Sequence, residues 1–591
     1  MPTRWLVALA LVLGTQQCCA LRSTYIQSLS ASALTRSFSC KPLQLCTTFQ
    51  MPRACRTVVL AGSDGIAESV AAPGDTNFGE FDWKKHWYPI AFDRFTDKDA
   101  PFAFTLLGER LVLWWDPVDS AWSAMRDVCP HRLAPLSEGR VNDKGDIECP
   151  YHGWSFEGKT GACTSIPQSS TPEKVSNDKR ACGSALHTVL AQGIIWVWAA
   201  PIYPGQEEPS HSLIPVCQAF ENEGVTTDDV SIDLPYDYTL LLENVMDMSH
   251  VPFTHHGTQG NRKFARPIHY KIKDPLKSSG FLIEWSSSIQ SLTQSETPPT
   301  TANSPDSTTD TQTTDKQTIK PLPPAKTEFH APSYQYHKLQ LPGFTLWIVI
   351  YAVPTTPGQC RLLARFPVIR KTPSTDKSAL KLNIKRLFQK PVFLQHMMRN
   401  QVFEDDNIFL HAQERELALR LGGHLHTDTA LPGESTNEKT KPGAWTSSYY
   451  LATTSDTPVV LFRRWLDRTA PLPWSPGTPA AKYYDLTWEK ERLLDRRKSH
   501  LNHCLPCQKA ARMLKVGKGV VAGIAGALMV MCVSHTALMK FLLPSVSLLT
   551  KKLITYVLLA ICGGAYVVIG QLQSRLVQGP YPPTRNLRNQ R

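Results

Sequence analysis

Four residues in the first third of the chain stand at a spacing that suits few metal chemistries. The runs D-V-C-P-H-R and I-E-C-P-Y-H-G-W give Cys129-x-His131, seventeen intervening residues, then Cys149-x-x-His152. Two thiolates on one iron and two imidazoles on another make a complete ligand set for a [2Fe–2S] cluster. Replacing thiolates by neutral imidazoles lowers the cluster's negative charge and raises its potential, so it accepts electrons readily. Zinc also takes two Cys and two His, but its usual spacing groups Cys with Cys and His with His. Here the order alternates. Each pair is expected in a short loop, the first after extended segments at 111–115 and 123–128. Pro130 and Gly153 suit the tight turns such a loop needs.

A second constellation lies at 239–257, T-L-L-L-E-N-V-M-D-M-S-H-V-P-F-T-H-H-G. Asn244, Asp247 and His250 are three apart, which predicts one face of a helix. Pro252 is expected to end that helix and let His255 turn toward the same point. Two imidazoles with one carboxylate leave open positions on Fe(II). His256 reads as an ordinary core histidine. A later segment, Q-V-F-E-D-D-N-I-F-L-H-A-Q-E at 401–414, offers Glu404, Asp405 and Asp406 as the carboxylate. Farther on, Cys504-x-x-Cys507 reads as a thioredoxin-reducible dithiol, with His503 and Lys509 near enough to lower a thiol pKa. As a zinc site the pair would need two more ligands, and only His503 stands close by in sequence.

The rest of the chain must position these groups. Its 591 residues are enough for several domains, and 42% hydrophobic with 19% charged residues describes a globular core. The net charge of +12 gathers at the ends. Residues 1–63 carry Arg4, Arg22, Arg36, Lys41, Arg53 and Arg56 without an acid, and Arg575, Arg585, Arg588 and Arg591 follow Gln571. That distribution argues against a nucleic-acid-binding face. The fifteen cysteines form no secreted-domain disulfide pattern. Residues 5–14 read as a signal-peptide core, and the Ser, Thr and Arg-rich stretch after them as a transit peptide. This predicts delivery to a plastid inside extra membranes, with a single-step transit peptide as the alternative. Residues 290–326 are rich in Thr, Ser, Pro and Gln and predict a disordered insertion. A second polar loop is expected at 424–443. The apolar runs 519–539 and 553–570 are each about long enough to cross a hydrocarbon core of roughly 30 Å. They predict a transmembrane helical hairpin, with the basic tail 571–591 on the same side as the catalytic region.

The chain resembles the Rieske non-haem iron oxygenases, and more closely the pheophorbide a oxygenase group of plastids. The resemblance covers roughly 80–575. It rests on C-P-H-R-L-A-P-L-S-E-G-R, Y-H-G-W-S-F, L-L-E-N-V-M-D-M-S-H, F-R-R-W-L at 462–466, and Cys504-Leu-Pro-Cys507 ahead of two apolar runs. It implies an α+β fold: an antiparallel-β Rieske domain at 81–200 and an α+β catalytic domain at 201–500. A Cys-x-x-Cys segment at 501–515 and the hairpin would follow. It also implies a mononuclear Fe(II) on His250, His255 and a carboxylate. Phe403 three residues before and Gln413 seven after match the group's pattern around Asp406, with Asp405 and Glu404 as fallbacks. Such enzymes oxygenate pheophorbide a, protochlorophyllide a or chlorophyllide a with O₂ and electrons from ferredoxin. They form homotrimers, in which Asp247 would bridge His131 or His152 of one subunit to His250 of the next, with Asn244 beside it. The expected place is a plastid membrane, envelope or thylakoid. The competing expectation is a non-catalytic redox sensor of the envelope import machinery. A Rieske electron-transfer subunit would need no second iron motif.

Overall fold

The computed structural model describes residues 78, 81–171, 178–203, 205–287, 323–370, 391–421, 444–469, 487–534 and 547–586. The expected extended runs before Cys129 form strands. Strands β1 (Trp87–Phe92), β2 (Phe102–Leu106), β3 (Glu109–Asp116) and β4 (Ala121–Arg126) come first. Four short strands follow, β5 (Arg140–Val141), β6 (Ile147–Glu148), β7 (Ser155–Phe156) and β8 (Cys163–Ser165). Then β9 (Ala185–Ala191) and β10 (Ile194–Pro201) return to the first sheet. Its order is β1-β10-β9-β4-β3-β2, antiparallel throughout, and β5 to β8 pair in sequence as a second small sheet. The small sheet exists to present loops. Its core of Val112, Trp114, Met125, Leu136, Ile147 and Phe156 is separate from the main core and includes Cys129 and Cys149.

A larger antiparallel sheet is built from β11 (Asp229–Leu234), β12 (Ile268–Lys277), β13 (Gly280–Ser287), β14 (Ala325–His330), β15 (Tyr334–Leu341), β16 (Phe344–Thr356), β17 (Gln359–Arg365) and β18 (Val368–Arg370). In β14 the buried residues alternate, Ala325, Thr327 and Phe329, as a strand with one covered face requires. In β16 residues 349–353 are all buried, because this central strand is covered on both faces. Strand β14 takes Ala325 and Lys326 out of the expected insertion, and residues 288–322 lie outside the described residues. So do the targeting segment and the second polar loop.

The two sheets share one core from Trp83 to Leu576. Backbone bonds from Leu107 to Pro354 and Gly108 to Thr355 join them at 3.0 and 2.7 Å. Buried arginines stitch them further: Arg361 donates to the Ile90 carbonyl of β1 at 3.4 Å, and Arg365 donates to the Gln192 carbonyl at 2.8 Å.

Helices α1 (Tyr238–Met246), α2 (Val251–Thr254), α3 (Val392–Arg420) and α4 (Thr457–Thr469) flank the large sheet, and α5 (Leu505–Ser534) and α6 (Leu548–Val577) close the chain. Glu243 of α1 and Arg463 of α4 form a buried ion pair, so the phrases L-L-E-N-V-M-D and F-R-R-W-L meet in space. The first apolar helix starts at Leu505, well before the expected 519, because Cys507 to Lys518 continue the same helix. Residues 535–539 lie outside the described residues. Both helices are long and apolar enough to cross a membrane, and Val520, Met529, Leu553, Ile561 and Val567 on them are exposed. They pack side by side, with Lys518 over the Tyr566 ring at 4.6 Å.

Candidate metal centres

The two cysteine loops repeat one geometry. Cys129 N–H donates to the Ala134 carbonyl at 2.9 Å, and Leu133 N–H returns to the Cys129 carbonyl at 2.9 Å. In the second loop, Cys149 N–H donates to Trp154 at 2.8 Å, and Gly153 N–H returns to Cys149 at 3.1 Å. Both closures need a left-handed residue, Leu133 at φ 60° and Gly153 at φ 72°. Glycine accepts that conformation freely, whereas Leu133 holds it against a steric cost. The thiols are buried side by side, and burial and the neighbouring Cys149 thiol raise Cys129 to about 11. The imidazoles lie outward, with ring centroids of His131 and His152 4.6 Å apart and Trp154 stacked on His131 at 4.6 Å. Two inner thiols beneath two outer imidazoles fit the donor arrangement of a Rieske [2Fe–2S] cluster. Cys149→Ser is expected to abolish the cluster's visible absorption and remove about two irons per chain, measured by metal analysis.

The second constellation assembles differently from expectation. Helix α1 stops at Met246, and Asp247 caps it with extended torsions. The Asp247 carboxylate takes Ser249 N–H at 2.8 Å and the Ser249 hydroxyl, holding a sharp corner. His250 then opens α2, and Pro252 stands in its first turn rather than ending α1. A proline there loses no helical hydrogen bond. Asn244, Asp247 and His250 are therefore not one helical face. The corner nonetheless brings His250 Nε2 within 3.3 Å of His255 Nε2. Helix α3 supplies the carboxylate, with Asp406 Oδ2 3.6 Å from His255 Nε2. Among the described residues, His250, His255 and Asp406 have ligand atoms within 4.8 Å of one another.

The three acids of α3 separate by what they face. Glu404 is bound bidentately by Arg496 at 2.5 and 2.6 Å. Asp405 accepts the Thr258 hydroxyl at 2.8 Å and stands 3.5 Å from His255 Nδ1. Asp406 faces the two imidazoles, and the Asn244 side chain hydrogen-bonds it. Asp406 Oδ1 and His255 Nδ1 are buried with no hydrogen-bond partner. Burial pushes Asp406 up to about 7, with His255 pulling the other way and Asp405 adding to the rise. Burial also drives His250 down to about 3, helped by His255. A neutral imidazole and an orphaned carboxylate oxygen facing one point fit a divalent cation.

His256 turns elsewhere, its Nδ1 accepting from Arg262 N–H at 3.3 Å. Sequence reasoning missed Thr258, Asp405 as a partner of His255, and Arg585. The Arg585 guanidinium donates to the Asp405 carbonyl at 2.5 Å and to the Thr254 carbonyl at 3.3 Å, so the basic tail returns to this site. The only signal for Arg585 was its charge.

Cys504 and Cys507 are free and buried, not solvent-facing. His503 points to Asp233 at 3.6 Å. The rings beside the sulfurs belong to His396 and His500, which were not among the expected neighbours.

A Rieske [2Fe–2S] domain model matches residues 86–181, and a pheophorbide a oxygenase model matches 323–422. Pheophorbide a oxygenase of Arabidopsis thaliana is 30% identical over 486 residues, covering 78% of each chain. Protochlorophyllide-dependent translocon component 52 of the same plant is 28% identical, covering 76% of each chain. Flavonoid 8-hydroxylase 2 of Ocimum basilicum is 29% identical, covering 74% of this chain and 75% of its own. The chain belongs to the pheophorbide a oxygenase family of Rieske oxygenases.

Proposed function

We propose that this Rieske oxygenase puts oxygen from O₂ into a chlorophyll-type tetrapyrrole, at a mononuclear iron held by His250, His255 and Asp406. The convergence of those three side chains at one buried point carries the reading. His250, His255 and Asp406 would hold Fe(II), which would supply the activation of O₂ at this point. The protein's own groups fix the ligands. His250 Nδ1 is tied to the Asp247 carbonyl, which leaves Nε2 facing His255. Thr258 holds Asp405, and Asp405 faces the far nitrogen of His255. Asn244 steadies Asp406. Partners of this kind set ring orientation and basicity, so Asp405→Asn is expected to weaken iron retention about 10- to 100-fold. Iron content after graded chelation measures this; unchanged retention contradicts the role.

Ferredoxin is the proposed electron donor to the [2Fe–2S] cluster, and a plastid membrane reached through α5 and α6 the proposed location. A homotrimer would place Asp247 between one copy's His250 and the next copy's His131 or His152. His131 is exposed, and Leu133 and Tyr151 beside the cluster loops are 74% and 56% exposed, which suits a face covered by another copy. The name of the pheophorbide a oxygenase relative supports a tetrapyrrole substrate, and that of the flavonoid 8-hydroxylase brings a flavone into the test. The translocon relative favours a second reading, a redox sensor of protein import that turns nothing over.

Substrate-gated oxidation of the cluster separates the readings. Reduced, detergent-solubilised protein is mixed with O₂ and pheophorbide a, protochlorophyllide a, chlorophyllide a or a flavone. One tetrapyrrole is expected to speed cluster oxidation at least about tenfold, because binding that substrate couples the two centres. Acceleration only by the flavone overturns the tetrapyrrole assignment, and none by any compound favours the sensor.

A further inference from the structure

Away from both iron centres, four side chains from four places in the chain meet in the core. His396 comes from the first turns of α3, His500 from the loop before α5, Cys504 from just ahead of α5, and Cys507 from its first turn. Their exposures are 1%, 2%, 1% and 0%. His396 Nδ1 lies 3.1 Å from His500 Nε2 and 3.4 Å from each sulfur, and His500 Nε2 is 3.2 Å from Cys507 Sγ. Among the described residues these four offer ligand atoms within 4.8 Å of one another.

The distances match the edges of one coordination polyhedron. Tetrahedral zinc with Zn–N near 2.05 Å and Zn–S near 2.3 Å has N–N edges of about 3.3 Å and N–S edges of about 3.5 Å. The surroundings complete it. His500 offers its other nitrogen, Nδ1, to the Ser231 carbonyl of β11 at 2.7 Å, the outer hydrogen bond that orients a ligating imidazole. Phe95 packs edge-on against the His396 ring at 4.8 Å. A disulfide between Cys504 and Cys507 would consume the sulfurs and leave two buried ring nitrogens aimed at nothing ionic. Two thiolates, two neutral imidazoles and a divalent cation sum to zero charge, which a closed apolar site tolerates.

We propose that His396, His500, Cys504 and Cys507 bind a structural zinc ion. All four positions are filled by protein, so the ion is closed to substrate and to solvent. Its role is mechanical. It fastens the start of α3, the root of the apolar helix α5 and, through His500, strand β11. Asp406 lies ten residues beyond His396 on the same helix, about 15 Å along its axis, so the ion braces the helix that carries the iron ligand. The Cys-x-x-Cys pair is then a ligand pair and not a dithiol switch.

The test uses the full detergent-solubilised chain and does not depend on its activity. Metal analysis of the purified protein is expected to give about one zinc per chain, and zinc X-ray absorption to show sulfur at about 2.3 Å. Sulfur in the zinc shell distinguishes this site from zinc strayed into the His250, His255 and Asp406 site, which has none. Asp406→Ala should keep the zinc, and the double variant Cys504→Ser, Cys507→Ser should lose at least about nine-tenths of it with the [2Fe–2S] absorption intact. Should the double variant fail to fold, protein grown in cobalt decides, since thiolate-to-cobalt absorption requires the site in the unaltered chain. Zinc at background with Cys504 and Cys507 disulfide-bonded overturns the proposal, as does an extra iron in place of zinc, or a zinc shell without sulfur.

Discussion

Asp406→Ala is expected to remove about one iron per chain and lower oxygenation at least about 100-fold, while the [2Fe–2S] absorption stays unchanged. Three adjacent acids divide by what they face. Glu404 is committed to Arg496, and Asp405 to Thr258 and the Nδ1 side of His255, so of the three acids Asp406 is the one that faces His255 Nε2 and gathers with His250. Alanine leaves two imidazoles, and two ligands hold Fe(II) far more weakly than three. The companion variant Asp405→Ala should retain more iron than Asp406→Ala. The reverse order would assign the ligand to Asp405. Metal analysis with visible spectroscopy reads both outcomes, since the proposed cluster ligands Cys129, His131, Cys149 and His152 lie in other loops.

Arg496→Leu is expected to destabilise the fold by about 3–5 kcal/mol, the usual cost of stranding a buried charge. Arg496 and Glu404 have side chains only 2% and 10% exposed. The same guanidinium donates to the Arg575 carbonyl at 2.6 Å, so it ties α3 to the end of α6. Gly579 makes room for the pair, because a Cβ there would come within 2.5 Å of Glu404 Oε2. Replacing both partners, Glu404→Leu with Arg496→Leu, should recover most of the loss, since no charge is then stranded. Thermal unfolding followed by tryptophan fluorescence measures it. A single-variant loss below about 1 kcal/mol would show that Glu404 finds water or another partner.

The grouping of Cys129, His131, Cys149 and His152 was legible because it is local. Each Cys–His pair sits in one loop, and the loop geometry follows from a few residues around Cys129 and Cys149. His250 and His255 were legible for the same reason, although the helix break at Asp247 was not. Its cause, Ser249 bonding back to the Asp247 carboxylate, competes with helix continuation in a way periodicity does not register. Choosing among Glu404, Asp405 and Asp406 needed the family pattern. Successive helical residues point about 100° apart, and only packing tells which one faces the histidines.

Helix α3 hid most. Its buried side includes His396, Asn400, Glu404, Asn407, His411 and Glu414, a polar stripe at helical spacing where apolar residues are usual. Hydrophobic patterning cannot see such a stripe, and polar periodicity could have flagged it. His396 lies 104 residues from His500 and 108 from Cys504, so no local spacing joins them. The pairing of Glu243 with Arg463 shows the converse. Two phrases recognised separately proved to be halves of one contact.

The proposed reaction is oxygen transfer from O₂ at the site of His250, His255 and Asp406. Single turnover under ¹⁸O₂ tests it most directly, with chemically reduced, iron-loaded protein and each tetrapyrrole in turn, products read by mass spectrometry. One tetrapyrrole product carrying ¹⁸O is expected, absent with Asp406→Ala. Product without ¹⁸O, or labelled product undiminished in Asp406→Ala, would contradict it.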